Sequence, residues 1–117
     1  MNLIEHLRRQ FEWAEKTFGP ATINRVPGVL AHIKKEIKEV EAKPRDLTEW
    51  IDIAILSFDG ARQAGYTPEE VAAALFAKQL KNELREWPDW RKVPEGQVIE
   101  HIRELDVLVR EEQEDWP

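Results

Sequence analysis

The chain has 117 residues, a formal net charge of -6 and no cysteine, and these properties exclude several classes of protein. We expect one domain at this length, with no disulfide framework, zinc ribbon or thiol nucleophile. The 23 acidic side chains against 17 basic ones argue against general binding to a nucleic-acid polymer. Charges interrupt the first ten residues, and no apolar run reaches the roughly 18 residues of a membrane span. We therefore expect a cytoplasmic protein with no signal peptide and no membrane partner.

Prolines divide the chain into segments of helical length, and apolar residues within these segments recur at the spacing of one helix face. Asp46 is a predicted N-cap with Glu49 as its capping-box partner, and Thr67 is a predicted cap before Pro68. The predicted helices span about residues 2–18, 28–42, 46–64, 67–86 and 95–114. Because no sustained strand alternation is present, the sequence predicts an all-α bundle of four or five helices.

Two pairs of carboxylates lie on consecutive predicted helices. Glu36 and Glu39 are on the second helix, and Glu49 and Asp52 are on the third. Residues three apart share one helix face, and the short connection favours antiparallel helices, so the two pairs can face each other. Four carboxylates gathered this closely would repel one another unless a cation neutralised their charge. Mg²⁺ is a suitable cation, because it prefers oxygen ligands. The sequence therefore predicts a magnesium site.

The two pairs differ in their surroundings. Glu36 and Glu39 stand among lysines, which is also typical of an ordinary solvated face. The third helix is apolar almost all round, so we expect it inside the bundle, where a carboxylate such as Asp52 needs a partner. Asp59 lies on nearly the same line as Asp52 and either joins the site, pairs with Arg62 or caps a neighbouring element.

Histidine and tryptophan supply two further candidates. His32 is one turn before Glu36, where it either orients a ligand or contacts a phosphate, although a hydrogen bond to the backbone is the favoured interpretation. Trp13 lies off the apolar stripe of the first helix, so it either packs in a subunit interface, which we favour, or stacks on a nucleobase.

The fourth helix carries basic and amide side chains at spacing i, i+3, i+4 and i+7. Such a stripe is either an ordinary solvent-exposed surface or a binding site for a polyphosphate. Arg25 and Arg91, each near a helix boundary, are weaker candidates for the same role. The stripe consists of Lys78, Lys81, Asn82 and Arg85.

Several segments together resemble the MazG-like all-α nucleoside triphosphate pyrophosphohydrolases, and more narrowly their dATP/dGTP branch in bacteria and phages. The paired acids carry the general resemblance, but Lys35 stands where the MazG pattern commonly has a second glutamate. The resemblance covers about residues 5–92, so we divide the chain into a MazG-like domain of residues 1–92 and a C-terminal helical extension of residues 93–117. The segments that carry the narrower resemblance are residues 28–36, 44–52, 59–61 and 78–91.

The resemblance implies hydrolysis of a purine deoxynucleoside triphosphate, dATP or dGTP, to the monophosphate and pyrophosphate. It implies a homodimer or homotetramer that uses Mg²⁺, with Mn²⁺ as the alternative ion. The catalytic and metal-binding residues would be Glu36, Glu39, Glu49 and Asp52. The substrate-binding residues would be Lys78, Lys81, Asn82, Arg85, His32, Asp59, Arg91 and Trp13.

Two alternatives stay open. One is a non-catalytic helical interaction module whose tryptophan-rich surface and acidic tail bind a protein. The other is a pyrophosphohydrolase of a different nucleotide, such as dUTP, dCTP or a modified deoxynucleotide. The sequence ranks neither dATP against dGTP nor a dimer against a tetramer, and it assigns no role to the last helix.

Overall fold

The computed structural model describes residues 1–103, and every regular element in this range is helical. This confirms the predicted all-α class. No helix in the described range is both long and apolar enough to cross a membrane. The elements in chain order are α1 (Leu3–Phe18), a first 3₁₀ turn (Ile23–Arg25), α2 (Val26–Ala42), α3 (Leu47–Gln63), α4 (Pro68–Leu84) and a second 3₁₀ turn (Trp90–Lys92).

Local sequence sets the ends of these helices. A capping box begins α1, where Oδ1 of Asn2 accepts the backbone N–H of Glu5 at 2.9 Å. The predicted cap of α4 is confirmed, since Oγ1 of Thr67 accepts the N–H of Glu70 at 3.1 Å. Gly65 follows α3 with φ of 98°, a left-handed conformation that favours glycine over any other residue.

Asp46 caps α3 as predicted, but not with the predicted partner. Its Oδ1 accepts the backbone N–H of Thr48 at 3.0 Å and the hydroxyl of Thr48 at 2.6 Å. The Glu49 carboxylate lies instead beside those of Glu36 and Asp52. The capping-box role of Glu49 is therefore wrong, and its side chain is available for another function.

Residues Met1–Phe76 form one compact unit, which contains α1, α2, α3 and the first half of α4. Its core is small: Leu7 is fully buried, and Phe11 and Ala72 pack with it. A Cβ placed on Gly60 of α3 would lie 3.4 Å from Cγ1 of Val29 on α2. Since the end of α3 meets the start of α2, these two helices are antiparallel, as predicted.

Residues Ala77–Pro117 form a second unit, of which the structure describes residues 77–103. The end of α4 is fixed by a hydrogen bond from Nε1 of Trp87 to the carbonyl of Asn82, at 2.6 Å. Further along, the N–H of Ile102 donates to the carbonyl of Glu86 at 2.8 Å. The Trp87 ring also meets the ring of His101 edge to face, with centroids 5.8 Å apart.

The helix predicted from Glu95 is wrong for its first nine residues, 95–103, which are not helical. The N–H of Gln97 donates to the carbonyl of Pro94 at 3.1 Å, which closes a turn. Gly96 within this turn has φ of 88°, a conformation that a helix does not contain. The remainder of the predicted helix, residues 104–114, lies outside the described residues.

Candidate metal centre and adjoining cavities

The antiparallel helices α2 and α3 bring together three of the four predicted metal ligands. Glu36, Glu49 and Asp52 each offer a carboxylate oxygen, and these oxygens lie within 4.8 Å of one another. Glu36 and Glu49 are half-buried, and Asp52 is exposed. We call these three residues the carboxylate cluster. Its geometry follows from the spacing of three residues on each helix and the short turn between the helices.

Glu39 lies beside the carboxylate cluster but outside its 4.8 Å limit, and its side chain is exposed. Its influence is electrostatic. Desolvation raises the pKa of Glu49 from its ordinary value of 4.5, and the nearby charges of Glu39, Asp46, Asp52 and Glu36 raise it further. Because all these charges act in the same direction, a cation bound here would be favoured.

The carboxylate cluster fits a small hard cation. Magnesium coordinated at about 2.1 Å in octahedral geometry requires neighbouring ligand oxygens about 3 Å apart and opposite ones about 4 Å apart. The observed limit of 4.8 Å is close to this spacing, and an exposed side chain such as Asp52 can close the difference by changing rotamer. All donors are carboxylate oxygens, which suit Mg²⁺ or Mn²⁺ rather than a thiol-binding metal.

The expectation that α3 lies wholly inside the bundle is wrong for the described unit. Asp52, Trp50 and Ile51 are exposed, the last two at 52% and 46%. The exposure of Asp52 has a functional consequence, because a cation and a substrate can reach the carboxylate cluster from solvent.

His32 pairs with a carboxylate rather than with the backbone. Its Nε2 lies 3.3 Å from Oε1 of Glu36, one helical turn away. No hydrogen bond from this ring to a backbone group occurs among residues 1–103, so the favoured sequence interpretation is wrong. The contact instead places His32 where it can orient Glu36, which was the alternative.

Two adjoining cavities lie in the first unit, and the smaller one borders the carboxylate cluster. The larger has a volume of about 380 Å³ and the smaller about 270 Å³. Glu36 and Asp52 line the smaller cavity, which connects it to the carboxylate cluster. The two cavities share four lining residues, namely Phe18, His32, Leu56 and Asp59.

Trp13 and Asp59 line these cavities. Trp13 lines the smaller one, is 55% exposed and meets Phe18 edge to face with ring centroids 5.3 Å apart. Its position is compatible with either a base or a subunit contact, so both predicted roles stay open. Asp59 lines both cavities, and its Oδ1 accepts a hydrogen bond from Nε of Arg62 at 2.8 Å. The predicted pair with Arg62 is therefore present, and the role of Asp59 in the site stays a prediction.

The basic stripe belongs to the second unit. Lys78 and Lys81 are exposed, whereas Arg85 donates from Nη1 to Oδ1 of Asn82 at 3.1 Å. Arg85 also lies one residue beyond the end of α4, which ends at Leu84 rather than near Glu86 as predicted. The phosphate-gripping role of the stripe stays a prediction.

The two weaker basic candidates have different surroundings. Arg91 is in the second unit and forms an ion pair with Asp89, with Nε and Oδ1 2.9 Å apart. Arg25, in the first unit, lines the larger cavity next to Asn24. Of the two, Arg25 thus lies beside a cavity that could hold a ligand.

Sequence reasoning assigned no role to Gln63 and named Arg62 only as a partner of Asp59, yet both of these polar side chains on α3 are buried. Arg62 is 5% exposed and Gln63 only 3%, and Gln63 lines the larger cavity. Residues 19–22 cover them, since the N–H of Thr22 donates to Gln63 and Arg62 donates to the carbonyl of Gly19. The one signal available was the i, i+4 spacing of Gln63 from Asp59, which puts both on one face.

The fold and this site define an all-α protein with a candidate metal centre beside a cavity that could hold a small molecule. A family model described as dATP/dGTP pyrophosphohydrolase matches residues 6–105, and the chain belongs to this MazG-like family. The family is one of hydrolases that act on nucleoside triphosphates. The predicted family is therefore confirmed, and the match continues past the predicted boundary at residue 92.

A phage protein is also similar. The Eaa protein of Salmonella phage P22 is 37% identical over 101 residues, which cover 86% of this chain and 30% of that protein. The chain thus spans about a third of the length of this relative. No solved structure matches the chain.

Proposed function

We propose that the protein hydrolyses a purine deoxynucleoside triphosphate, dATP or dGTP, to the monophosphate and pyrophosphate with the help of Mg²⁺. The observation that carries the proposal is the carboxylate cluster at the edge of the smaller cavity, where Glu36 and Asp52 line the space itself. The family supports the substrate class, since its description names dATP and dGTP.

Glu36, Glu49 and Asp52 would hold the ion, and the charge of Glu39, the fourth predicted ligand, would add to the attraction for it. When bound, Mg²⁺ supplies positive charge to the phosphate oxygens and lowers the pKa of an attacking water. Glu36 or Glu39 would accept the proton of that water as general base. His32 contacts Oε1 of Glu36 and would fix the orientation of that carboxylate.

The cavities would hold the nucleoside part of the substrate. The larger, at about 380 Å³, falls within the range of about 300–1,000 Å³ that is usual for small-molecule sites. Arg25 lines it, and its guanidinium group would donate hydrogen bonds to the nucleoside. The leaving pyrophosphate would be stabilised by the basic stripe of Lys78, Lys81, Asn82 and Arg85, with Arg91 as a further cation.

Exposed apolar side chains support a homo-oligomer as the active form. Phe76, Leu80 and Leu84 follow one another on a single face of α4 and are 60%, 58% and 79% exposed. A continuous apolar helix face is typical of a surface that packs against another chain. A second copy of the protein would cover it, so the basic stripe could complete the site of a neighbouring subunit.

Incubation with each deoxynucleoside triphosphate and Mg²⁺ tests the proposal. We expect pyrophosphate and the monophosphate from dATP or dGTP, and none when the metal is removed with a chelator. Orthophosphate as the first product would contradict the assigned bond cleavage. Pyrophosphate from only dUTP, dCTP or a modified nucleotide would favour the second alternative, and none from any nucleotide with Mg²⁺ or Mn²⁺ would favour an interaction module.

A further inference from the structure

The amide of Gln63 is held in one orientation. Its Oε1 accepts the backbone N–H of Thr22 at 3.0 Å, and because that N–H can only donate, the amide oxygen must face it. The Nε2 group then points the other way, and it has no hydrogen-bond partner among the described residues. Gln63 is 3% exposed and lines the larger cavity. The cavity wall therefore carries an oriented donor.

The carboxylate of Asp59 is an oriented acceptor on the same wall. It lies four residues before Gln63 on the same face of α3 and lines the same cavity. Arg62 holds this carboxylate, because its Nε donates to Oδ1 of Asp59 at 2.8 Å. Nη1 of Arg62 in turn donates to the carbonyl of Gly19 at 3.3 Å. Oδ2 of Asp59 has no partner within residues 1–103, so it can accept a further hydrogen bond.

Arg62 gives a second reason to regard this arrangement as functional. Its Nη2 is buried and has no hydrogen-bond partner in the described part of the chain. A buried unpaired donor is costly and is uncommon where a side chain serves stability alone. The cost is understandable if Arg62 is retained to hold Asp59 toward the cavity.

We propose that Gln63 and Asp59 together read the edge of a purine base: Nε2 of Gln63 donates to an acceptor on the base, and Asp59 accepts the N–H next to it. This inference rests on the proposed function. Adenine presents such a pair as N7 and its 6-amino group, and guanine presents it as O6 and N1–H. The acceptor and donor follow in the same rotational order, so the same wall accepts either purine once the ring is rotated within its plane to present the matching edge.

Pyrimidines fit the pair less well. Cytosine presents its 4-amino donor and N3 acceptor in the opposite order, so the same wall would oppose donor to donor. Thymine has the right order in O4 and N3–H, but its single ring reaches less far from the sugar. The pair thus explains how one site can accept two purines that have different functional groups at position 6.

Nucleotide analogues test the inference on the unaltered protein. In 7-deaza-dATP a C–H replaces N7, so we expect kcat/KM to fall about tenfold or more relative to dATP. In 7-deaza-dGTP the same change leaves O6 and N1–H intact, so we expect kcat/KM to stay within about twofold of dGTP. Equal use of dATP and 7-deaza-dATP would overturn the inference.

The matched variant is Gln63→Glu, which keeps an oxygen for Thr22 and removes the Nε2 donor. We expect about a tenfold loss of kcat/KM on dATP and dGTP, and no further loss when 7-deaza-dATP replaces dATP in this variant. Gln97→Glu adds the same charge in an exposed turn and should leave kcat/KM unchanged. If kcat/KM of the Gln63→Glu protein were again about tenfold lower on 7-deaza-dATP than on dATP, another residue would contact N7.

The two proposals fail in different ways. If no nucleotide releases pyrophosphate, the proposed function is wrong and the base-reading pair falls with it. If dATP and dGTP are hydrolysed but the deaza analogues and Gln63→Glu behave like their references, the function stands and the base-reading pair is wrong. The analogue experiment needs no substitution, so it decides the question even if Gln63→Glu does not fold.

Discussion

Replacing Asp52 with asparagine should remove most of the stability that Mg²⁺ gives the protein. Asp52 is exposed and forms no side-chain hydrogen bond among residues 1–103, so the substitution should cost little stability without metal. A ligand that binds only the folded state stabilises it by about 2.7 kcal/mol at one hundred times its Kd. For a domain of roughly 100 residues each kcal/mol moves Tm by about 4 °C, so the unaltered protein should gain about 10 °C.

Loss of one charged ligand from a cluster of three should weaken metal binding by about a hundredfold. This is the largest loss of metal affinity that is usual for residues that only hydrogen-bond to a metal ligand. At the same concentration the variant would then be half saturated. It would gain only about 0.4 kcal/mol, or about 2 °C.

Thermal unfolding followed by circular dichroism, in a chelator and then in increasing Mg²⁺, measures both shifts, and pyrophosphate release gives a second readout. Glu41→Gln is the matched control, because Glu41 is exposed on α2, outside the carboxylate cluster, and loses the same charge. The control should keep the full shift and the activity. An Asp52→Asn protein with an undiminished shift and normal turnover would show that the carboxylate cluster is not the metal site.

Three further predictions follow from burial and charge. Because the pKa of Glu49 is raised above 4.5, the folded state binds the carboxyl proton of Glu49 more tightly than the unfolded state does. Without metal, the contribution of protonated Glu49 to the free energy of unfolding should therefore decline as pH rises from 4.5 through the folded pKa. Glu49→Gln should remove that part of the slope when urea midpoints are compared across pH in a chelator, and identical slopes would contradict the assignment. Leu7→Ala should cost about 2–5 kcal/mol in urea unfolding, since Leu7 is fully buried in a small core; a cost under about 1 kcal/mol would mean that the core is elsewhere. Leu84→Lys should yield a monomer in sedimentation without loss of helicity, since Leu84 is 79% exposed in the single chain; an unchanged oligomer would exclude this face as the interface.

The carboxylate cluster could be predicted from the sequence because it depends on two local features. Spacing of three residues fixes which side chains share a face, and the connection between Ala42 and Leu47 is too short for any arrangement but an antiparallel pair. Neither feature requires knowledge of the rest of the fold. The same reasoning could not separate Glu39 from the other three acids, because the side-chain distances depend on how α2 and α3 rotate against each other.

The cavity wall could not be predicted, because it depends on contacts between residues far apart in the chain. Gln63 is oriented by Thr22, and Arg62 reaches the carbonyl of Gly19, across more than forty residues in each case. The helix predicted from Glu95 failed for another reason. That helix was predicted from the spacing of apolar residues alone. The prediction did not take account of Gly96, which has a positive φ and lies in a turn.

The carboxylates at the two ends of α3 have neighbours of opposite charge. Near its start, Glu49 and Asp52 lie among other acids; desolvation and these negative charges raise the pKa of Glu49, and the charges favour an added cation. Near its end, Asp59 already has its cation, because Arg62 donates to it from a buried position. A metal ion is thus drawn to the first site and not to the second, so a nucleotide would place its phosphates at the start of α3 and its base at the end. The net charge of the whole chain conceals this difference, because the neighbours of each carboxylate decide whether it favours an added cation.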